Sequence, residues 1–515
     1  MGKCRYFAGL IVSLAVLFFS SLSLAEVRPA SLFSDHAVLQ RDAKLPVWGT
    51  ASPGEKVTVT FCGRSASTLA DTDGNWAVML PPQKPGGPFE MTITGTSTIT
   101  IKDILVGDVW FCSGQSNMAW VVANSQNAQQ EIASASNDRI RQFQTSIASA
   151  EQPLKKIQGI WLVCAPNTVG RFSATAYFFA KNLQVEIGVP IGIINSSAGG
   201  TRIEVWMSRP ALEKIPELKP TLNAYDAQCD AYKKAVSEYN EKLKVWQQEC
   251  ENAKAAGTAL PEKPAAPRPV LNANSYAALY NGVVAPFVQF PIRGVLWYQG
   301  ESNAGSGYFY RKLFSGLITD WRSAWKQDFP FLFVQLPNIS APFDGSQESG
   351  WAELRESQLM ALKIPKTAMA VTIDIGEANN IHPSNKQDVG KRLALAALGT
   401  VYYRRIPYSG PIYAGMSSEK GKIRIKFNHV DGGLVAKDSS TLKGFAIAGA
   451  DRKFVIAQAR IENDTVLVWS DEIPSPVAVR YAWANNPICN LYNKAGLPAS
   501  PFRTDDWPVS TINSR

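Results

Sequence analysis

Four short polar blocks carry the side chains of this chain that can do chemistry, and each follows an apolar run. The first is Gly107-Asp108-Val109-Trp110-Phe111-Cys112-Ser113-Gly114-Gln115-Ser116-Asn117-Met118. Its apolar part reads as a strand and its tight turn as a helix start, whose free N–H groups favour negative charge. Ser116 then has the setting of a nucleophilic hydroxyl with its own N–H as an oxyanion donor. The plainer alternative is a helix-capping serine. The block is not a G-x-S-x-G elbow, because Met118 stands at the second glycine.

The second block, Asn195 to Trp206, contains Gly199-Gly200, and paired glycines let a backbone approach a ligand closely. Gly200 is thus a candidate N–H donor, or part of a plain strand-to-helix turn. The third, Trp297-Tyr298-Gln299-Gly300-Glu301-Ser302-Asn303, offers amide donors in Gln299 and Asn303. Its carboxylate, Glu301, can support the site or simply hold the loop. The fourth, Asp374 to Pro383, holds His382, one of three histidines in the chain. Such a histidine can take a serine proton and return it to a leaving alcohol.

The elements around these blocks show how they come together. Buried-strand runs at 108–111, 191–194, 294–297 and 331–334 alternate with helical patterns such as Thr175 to Ile187 and Phe309 to Trp325. That alternation predicts an α/β domain, a parallel sheet with helices on both faces, over residues 104–405. Ligands of such sheets lie at the carboxyl ends of the strands, where all four blocks fall. Residues 26–103 and 406–515 read instead as β modules, with alternating runs such as Val57 to Phe61 and Lys422 to Phe427. An insertion at about 209–270 interrupts the α/β part. There Tyr225, Cys229, Tyr232, Val236, Tyr239, Leu243, Trp246 and Cys250 repeat at helical spacing. On one helix, Cys229 and Cys250 lie about 31 Å apart at ~1.5 Å per residue, too far to bond to each other. The stripe is expected to pack on the body of the same chain, with a lid or dimer contact as alternatives.

Composition excludes several classes of function. With 45% hydrophobic residues the chain is globular rather than disordered. Lys3 and Arg5, the apolar run Leu10 to Phe19 and Ser23-Leu24-Ala25 predict a cleavable export signal over residues 1–25. Cleavage after Ala25 predicts a secreted or periplasmic protein. No later run is apolar enough for a membrane span. The net charge of +9 loses the two charges of Lys3 and Arg5 to become +7, with no basic run suited to nucleic acid. No C-x-x-C pair exists, which excludes zinc sites of the usual spacing, and no metal ligand set is assigned.

Taken together, the blocks resemble the sialate O-acetylesterase family, a branch of the SGNH-type serine hydrolases. Val38-Leu39-Gln40-Arg41, Pro46-Val47-Trp48-Gly49 and Tyr280 to Pro286 resemble further segments of that family, so the likeness spans nearly the whole mature chain. The resemblance implies a three-layer α/β/α domain flanked by β-sandwich-like modules. It also implies Ser116 as nucleophile, His382 as base, and Ser116, Gly200 and Gln299 as oxyanion donors. Many SGNH enzymes carry Asp three residues before the histidine; here that residue is Asn379. The group that orients His382 is therefore open among a backbone carbonyl, Asn379, Asp374, Glu377 and Asp388. Glu301 and Asn303 are candidate supporting residues, and Arg202, Arg355 and Trp120 candidate substrate contacts. Trp206 and Tyr298 can stack on a sugar or fill the core. The implied partner is an O-acetylated carbohydrate, foremost sialic acid, and the chemistry needs no cofactor. Acetylated xylan or another glycan is the alternative substrate. A non-catalytic glycan-binding protein is the alternative class.

Overall fold

The computed structural model describes residues 26–515, so the expected export segment lies outside the described residues. The central strands are β1 (Thr98–Gly114), β2 (Asn137–Thr145), β3 (Gly159–Cys164), β4 (Ile191–Ser197), β5 (Gly294–Tyr298), β6 (Phe331–Val334) and β7 (Thr367–Ala370). Their spatial order is β3-β2-β4-β1-β5-β6-β7. Neighbours run parallel except β3, which lies antiparallel to β2. The sheet is therefore mixed rather than purely parallel. A parallel return needs a long crossover, usually a helix, and residues 146–158 form none.

The helices that matter for the site are α1 (Ala174–Ile187), α2 (Lys219–Ala256), α3 (Gly307–Trp325), α4 (Gly350–Met360) and α5 (Lys386–Thr400). Adjacent residues of β1 show that both faces of the sheet are covered, because successive side chains on a strand point to opposite sides. Trp110 meets Phe179 of α1 at 4.9 Å between ring centroids. Phe111 meets Trp321 and Trp325 of α3 at 5.5 and 5.4 Å. Burial on both faces is why the strands read as continuous apolar runs rather than alternating ones.

β1 also joins the central domain to the N-terminal β region. Its first half pairs antiparallel with Gly86–Thr94, and its second half forms the middle of the central sheet. One contiguous core runs from Val27 to Leu398. The C-terminal region builds two four-stranded sheets around a separate core that includes Ile425, Ile447, Val468 and Tyr481.

The insertion opens with the short helix Arg209–Glu213 and is dominated by one long helix, α2, along which only Leu222 and Cys250 are buried. Its aromatic stripe is half-buried, partly by the chain that returns beside it. Trp246 Nε1 donates to the Pro261 carbonyl at 2.9 Å, and Tyr225 meets Tyr276 at 5.6 Å between centroids. Cys229 and Cys250 are both free thiols. Among the described residues no helix is long and apolar enough to cross a membrane.

Candidate active site

Sheet register brings three of the four blocks to one edge. Ser197 of β4 and Tyr298 of β5 both stand opposite Gly114 of β1, so the chain leaves all three strands at the same level. Gly114 is required at this point. Its φ is +135°, and a Cβ there would lie 2.1 Å from the Tyr298 carbonyl oxygen. The fourth block follows β7, two strands beyond β5, and reaches back over the sheet edge.

Ser116 opens the one-turn helix Ser116–Ala119, and its Oγ lies 2.8 Å from His382 Nε2. The Gly199–Gly200 turn lies beside it: a Cβ on Gly199 would come within 3.4 Å of the Ser116 Cβ. Gly200 has φ +68°, the left-handed region that glycine adopts without cost. The N–H groups of Ser116 and Gly200 donate to no protein group among the described residues, so both remain available to an anion. A hydroxyl bonded to an imidazole beside two free N–H donors can perform acyl transfer.

His382 is half-buried and stacks on Trp120, with centroids 4.8 Å apart and ring planes 18° apart. Burial first, and the nearby charge of Lys386 second, hold its pKa below the ordinary value of 6.5. Among the described residues no carboxylate forms an ion pair with it. Asp374, a candidate to orient it, is bound by Arg392 at 2.6 and 2.7 Å and by the Tyr492 hydroxyl at 2.9 Å. Asn379 is exposed, and its side chain makes no hydrogen bond to the site among the described residues. Glu377 accepts from Ser384 and Asn380, and Asp388 from the Asn385 side chain. Asn380 braces the loop instead: its side chain accepts from the His382 N–H at 2.9 Å and donates to the His382 carbonyl at 2.8 Å.

Three expected contacts differ in the structure. Gln299 is fully buried, and its Nε2 donates to the Thr201 carbonyl at 3.2 Å and to Asn303 Oδ1 at 2.8 Å. Both amide hydrogens are engaged, so it ties two loops together rather than facing an oxyanion. Asn303 is likewise occupied, accepting from the Ile203 N–H and donating to Glu204. Arg355 has no exposed surface. Its guanidinium donates to the carbonyls of Leu336, Pro337, Ala484 and Asn485, which removes it as a substrate contact. Trp206 and Tyr298 are core residues with no exposure. Arg202 lies two residues after Gly200; its side chain is 42% exposed and pairs with Glu204 at 2.9 Å. Trp120 is part-exposed at the histidine.

Two residues of the site escape the sequence reading. Asn117 donates to Glu301 Oε1 at 2.5 Å and to the Ile381 carbonyl at 2.9 Å. Lys386, fully buried, donates to Asn117 Oδ1 at 2.8 Å. The available signal is a lysine four residues after the histidine, where the helical run begins.

Comparison with known proteins gives this geometry a context. A family model described as carbohydrate esterase, sialic acid-specific acetylesterase, matches residues 106–262 and 271–399. The sialate O-acetylesterase of Rattus norvegicus is 30% identical, over 92% of this chain and 94% of its own. That of Homo sapiens is 28% identical over 94% of each. Among solved structures, a carbohydrate acetylesterase from Xanthomonas citri is 38% identical, with a TM-score of 0.80 over 94% of this chain and all of that one. The chain belongs to the sialic acid-specific acetylesterase family of carbohydrate esterases and is a carboxylic ester hydrolase.

Proposed function

We propose that this hydrolase is a serine esterase that removes O-acetyl groups from carbohydrate, with O-acetylated sialic acid as the foremost substrate. The observation that carries the reading is the 2.8 Å bond between Ser116 Oγ and His382 Nε2, beside two unengaged N–H groups. Ser116 Oγ attacks the acetyl carbonyl carbon as His382 takes its proton. The N–H groups of Ser116 and Gly200 hold the oxyanion. The bond to the sugar oxygen then breaks, and His382 returns the proton to that oxygen. Water, deprotonated by His382, then attacks the acyl carbonyl carbon; the bond to Ser116 Oγ breaks, His382 returns the proton to that oxygen, and acetate leaves. Sialate as substrate is supported by the curated relatives, whose names state that activity. The exposed Arg202 guanidinium suits the sugar carboxylate. Trp120 offers a partly exposed ring at the mouth of the site.

The test is acetate release from 9-O-acetylated sialic acid and from acetylated xylan by wild type, Ser116→Ala and His382→Ala. Each variant is expected to lose at least about 10³-fold in kcat. Full activity in Ser116→Ala sinks the mechanism, and a preference for xylan moves the substrate to plant glycan. Export is part of the proposal, resting on the sequence of residues 1–25. Protein recovered outside the cytoplasm should begin at Glu26; an intact Met1 there would remove that step.

A further inference from the structure

No carboxylate pairs with the His382 imidazole among the described residues, and the structure braces its loop from beneath. Lys386 opens α5 with no exposed surface. Its Nζ donates to Asn117 Oδ1 at 2.8 Å and to the Pro383 carbonyl. Asn117 Nδ2 in turn donates to the Ile381 carbonyl at 2.9 Å and to Glu301 Oε1 at 2.5 Å. The carbonyls on both sides of His382 are thus held by one pair of side chains. Asn117 is also the residue next to Ser116, so hydroxyl and imidazole are located relative to one buried cluster. The rings of Trp120 and Tyr298 face the ammonium at 5.7 and 5.9 Å, and Trp120 stacks on His382 as well.

A buried ammonium whose bonded partners are an amide and a carbonyl costs free energy that an apolar side chain of the same length would not. Packing alone does not account for a lysine here. Resting on the Ser116–His382 reading above, we propose that Lys386 is a positioning residue of the esterase reaction: through Asn117 and the Pro383 carbonyl it fixes His382 against Ser116, and its ammonium sets a positive charge near the imidazole.

The sign of the electrostatic part follows from the surroundings. The titratable groups facing Lys386 and His382 are Tyr298 and Glu301 from β5 and the loop after it, and Glu377 from the histidine's own loop. The chain after β1 brings Asn117 and Trp120, and α1 brings Thr175 to the Asn117 carbonyl; none of these titrates. Burial lowers the Lys386 pKa to about 7, with Glu301 and Glu377 opposing the fall. Below that pH the ammonium is charged, which covers the range in which His382 gains its proton. A cation there disfavours imidazolium, so removing it must raise the His382 pKa.

The experiment measures kcat and KM against pH for wild type, Lys386→Met and Lys386→Arg on one acetyl ester. Histidine Cε1 resonances are titrated in the same proteins, and His382→Ala identifies the signal of His382 among the three. The proposal expects kcat to fall about 10²-fold in Lys386→Met, the effect of misplacing a reacting group, with KM nearly unchanged. The acid limb and the His382 titration should both move to higher pH. Lys386→Arg keeps the charge and should leave both near wild type while kcat falls. A folded Lys386→Met with the wild-type acid limb and His382 titration overturns the proposal. If Lys386→Met does not fold, an upward shift of the acid limb in Lys386→Arg overturns it instead. Activity surviving in His382→Ala is a different failure, that of the Ser116–His382 reading.

Discussion

Ser116 and His382 are 266 positions apart in the chain and 2.8 Å apart at their reactive atoms. Each is set by neighbours that a list of motifs does not reveal. The imidazole is depressed by burial and by Lys386, so the neutral base persists to more acidic pH than a free histidine allows. The acid limb of kcat/KM is therefore expected to have its midpoint below 6.5, as read from a pH–rate profile on a neutral acetyl ester. Gly200 allows a sharper test. Its φ of +68° costs a side-chain-bearing residue about 1–2 kcal/mol, yet a Cβ there would meet nothing within 4 Å. Gly200→Ala should thus fold, shift its N–H, and lose about 10²-fold in kcat with a smaller change in KM. Steady-state kinetics beside a melting curve separate that outcome from simple unfolding. That Ser116, Gly200 and His382 come together was legible because the polar block that holds each follows an apolar run. Gln299 and Asp374 misled because sequence does not say whether a polar side chain points into a cleft or is already satisfied within. Arg392 and Tyr492 come from well beyond the Asp374 block, so nothing local to it announces them.

At the scale of elements, helical and strand periods carried the reading well. The patterns at 175–187 and 309–325 correspond to α1 and α3 almost to the residue. The stripe at 225–250 lies on one continuous helix. Periodicity names an element but not its neighbour, which is why the mixed sense of β3 and the cover over the α2 stripe were out of reach. Arg355 shows the same limit. It looks like an anion-binding arginine, but it joins the loop after β6, through Leu336 and Pro337, to Ala484 and Asn485 of the C-terminal region. Burial lowers its pKa to about 9, so the joint works through hydrogen bonds to carbonyls rather than through an ion pair. Arg355→Met leaves those carbonyls unsatisfied. Hydrogen bonds to a charged group contribute about 1.5–3 kcal/mol each, so a loss of about 3 kcal/mol or more is expected. Chemical denaturation measures it, and a midpoint equal to wild type would count against the role.

For the molecule as a whole, the C-terminal region has its own core but not its own surface. Its last residues return to α4, where Glu353 accepts from the backbone N–H groups of Ser510 and Thr511 at 3.0 Å each and from both hydroxyls. Glu356 pairs with Arg503 at 2.7 Å, and Trp483 and Val509 pack with Ala352. α4 also carries Gln358, whose amide donates to the Gln299 carbonyl at 3.1 Å, one residue from the loop that holds Glu301. A route of buried contacts therefore runs from the C-terminal region to the floor beneath Ser116. Removing residues 406–515 would expose that apolar patch, strand Glu353 without its partners, leave Glu356 only its pair with Arg311, and free Arg355 from half of its carbonyls. Buried carboxylates stripped of partners cost several kcal/mol each. The truncated chain is thus expected to aggregate, or to unfold at markedly lower temperature with loss of esterase activity. Expression of residues 26–405 beside 26–515, compared by light scattering, melting temperature and acetate release, decides the matter. A soluble 26–405 with full kcat would mean that the C-terminal sheets cover the esterase without supporting it.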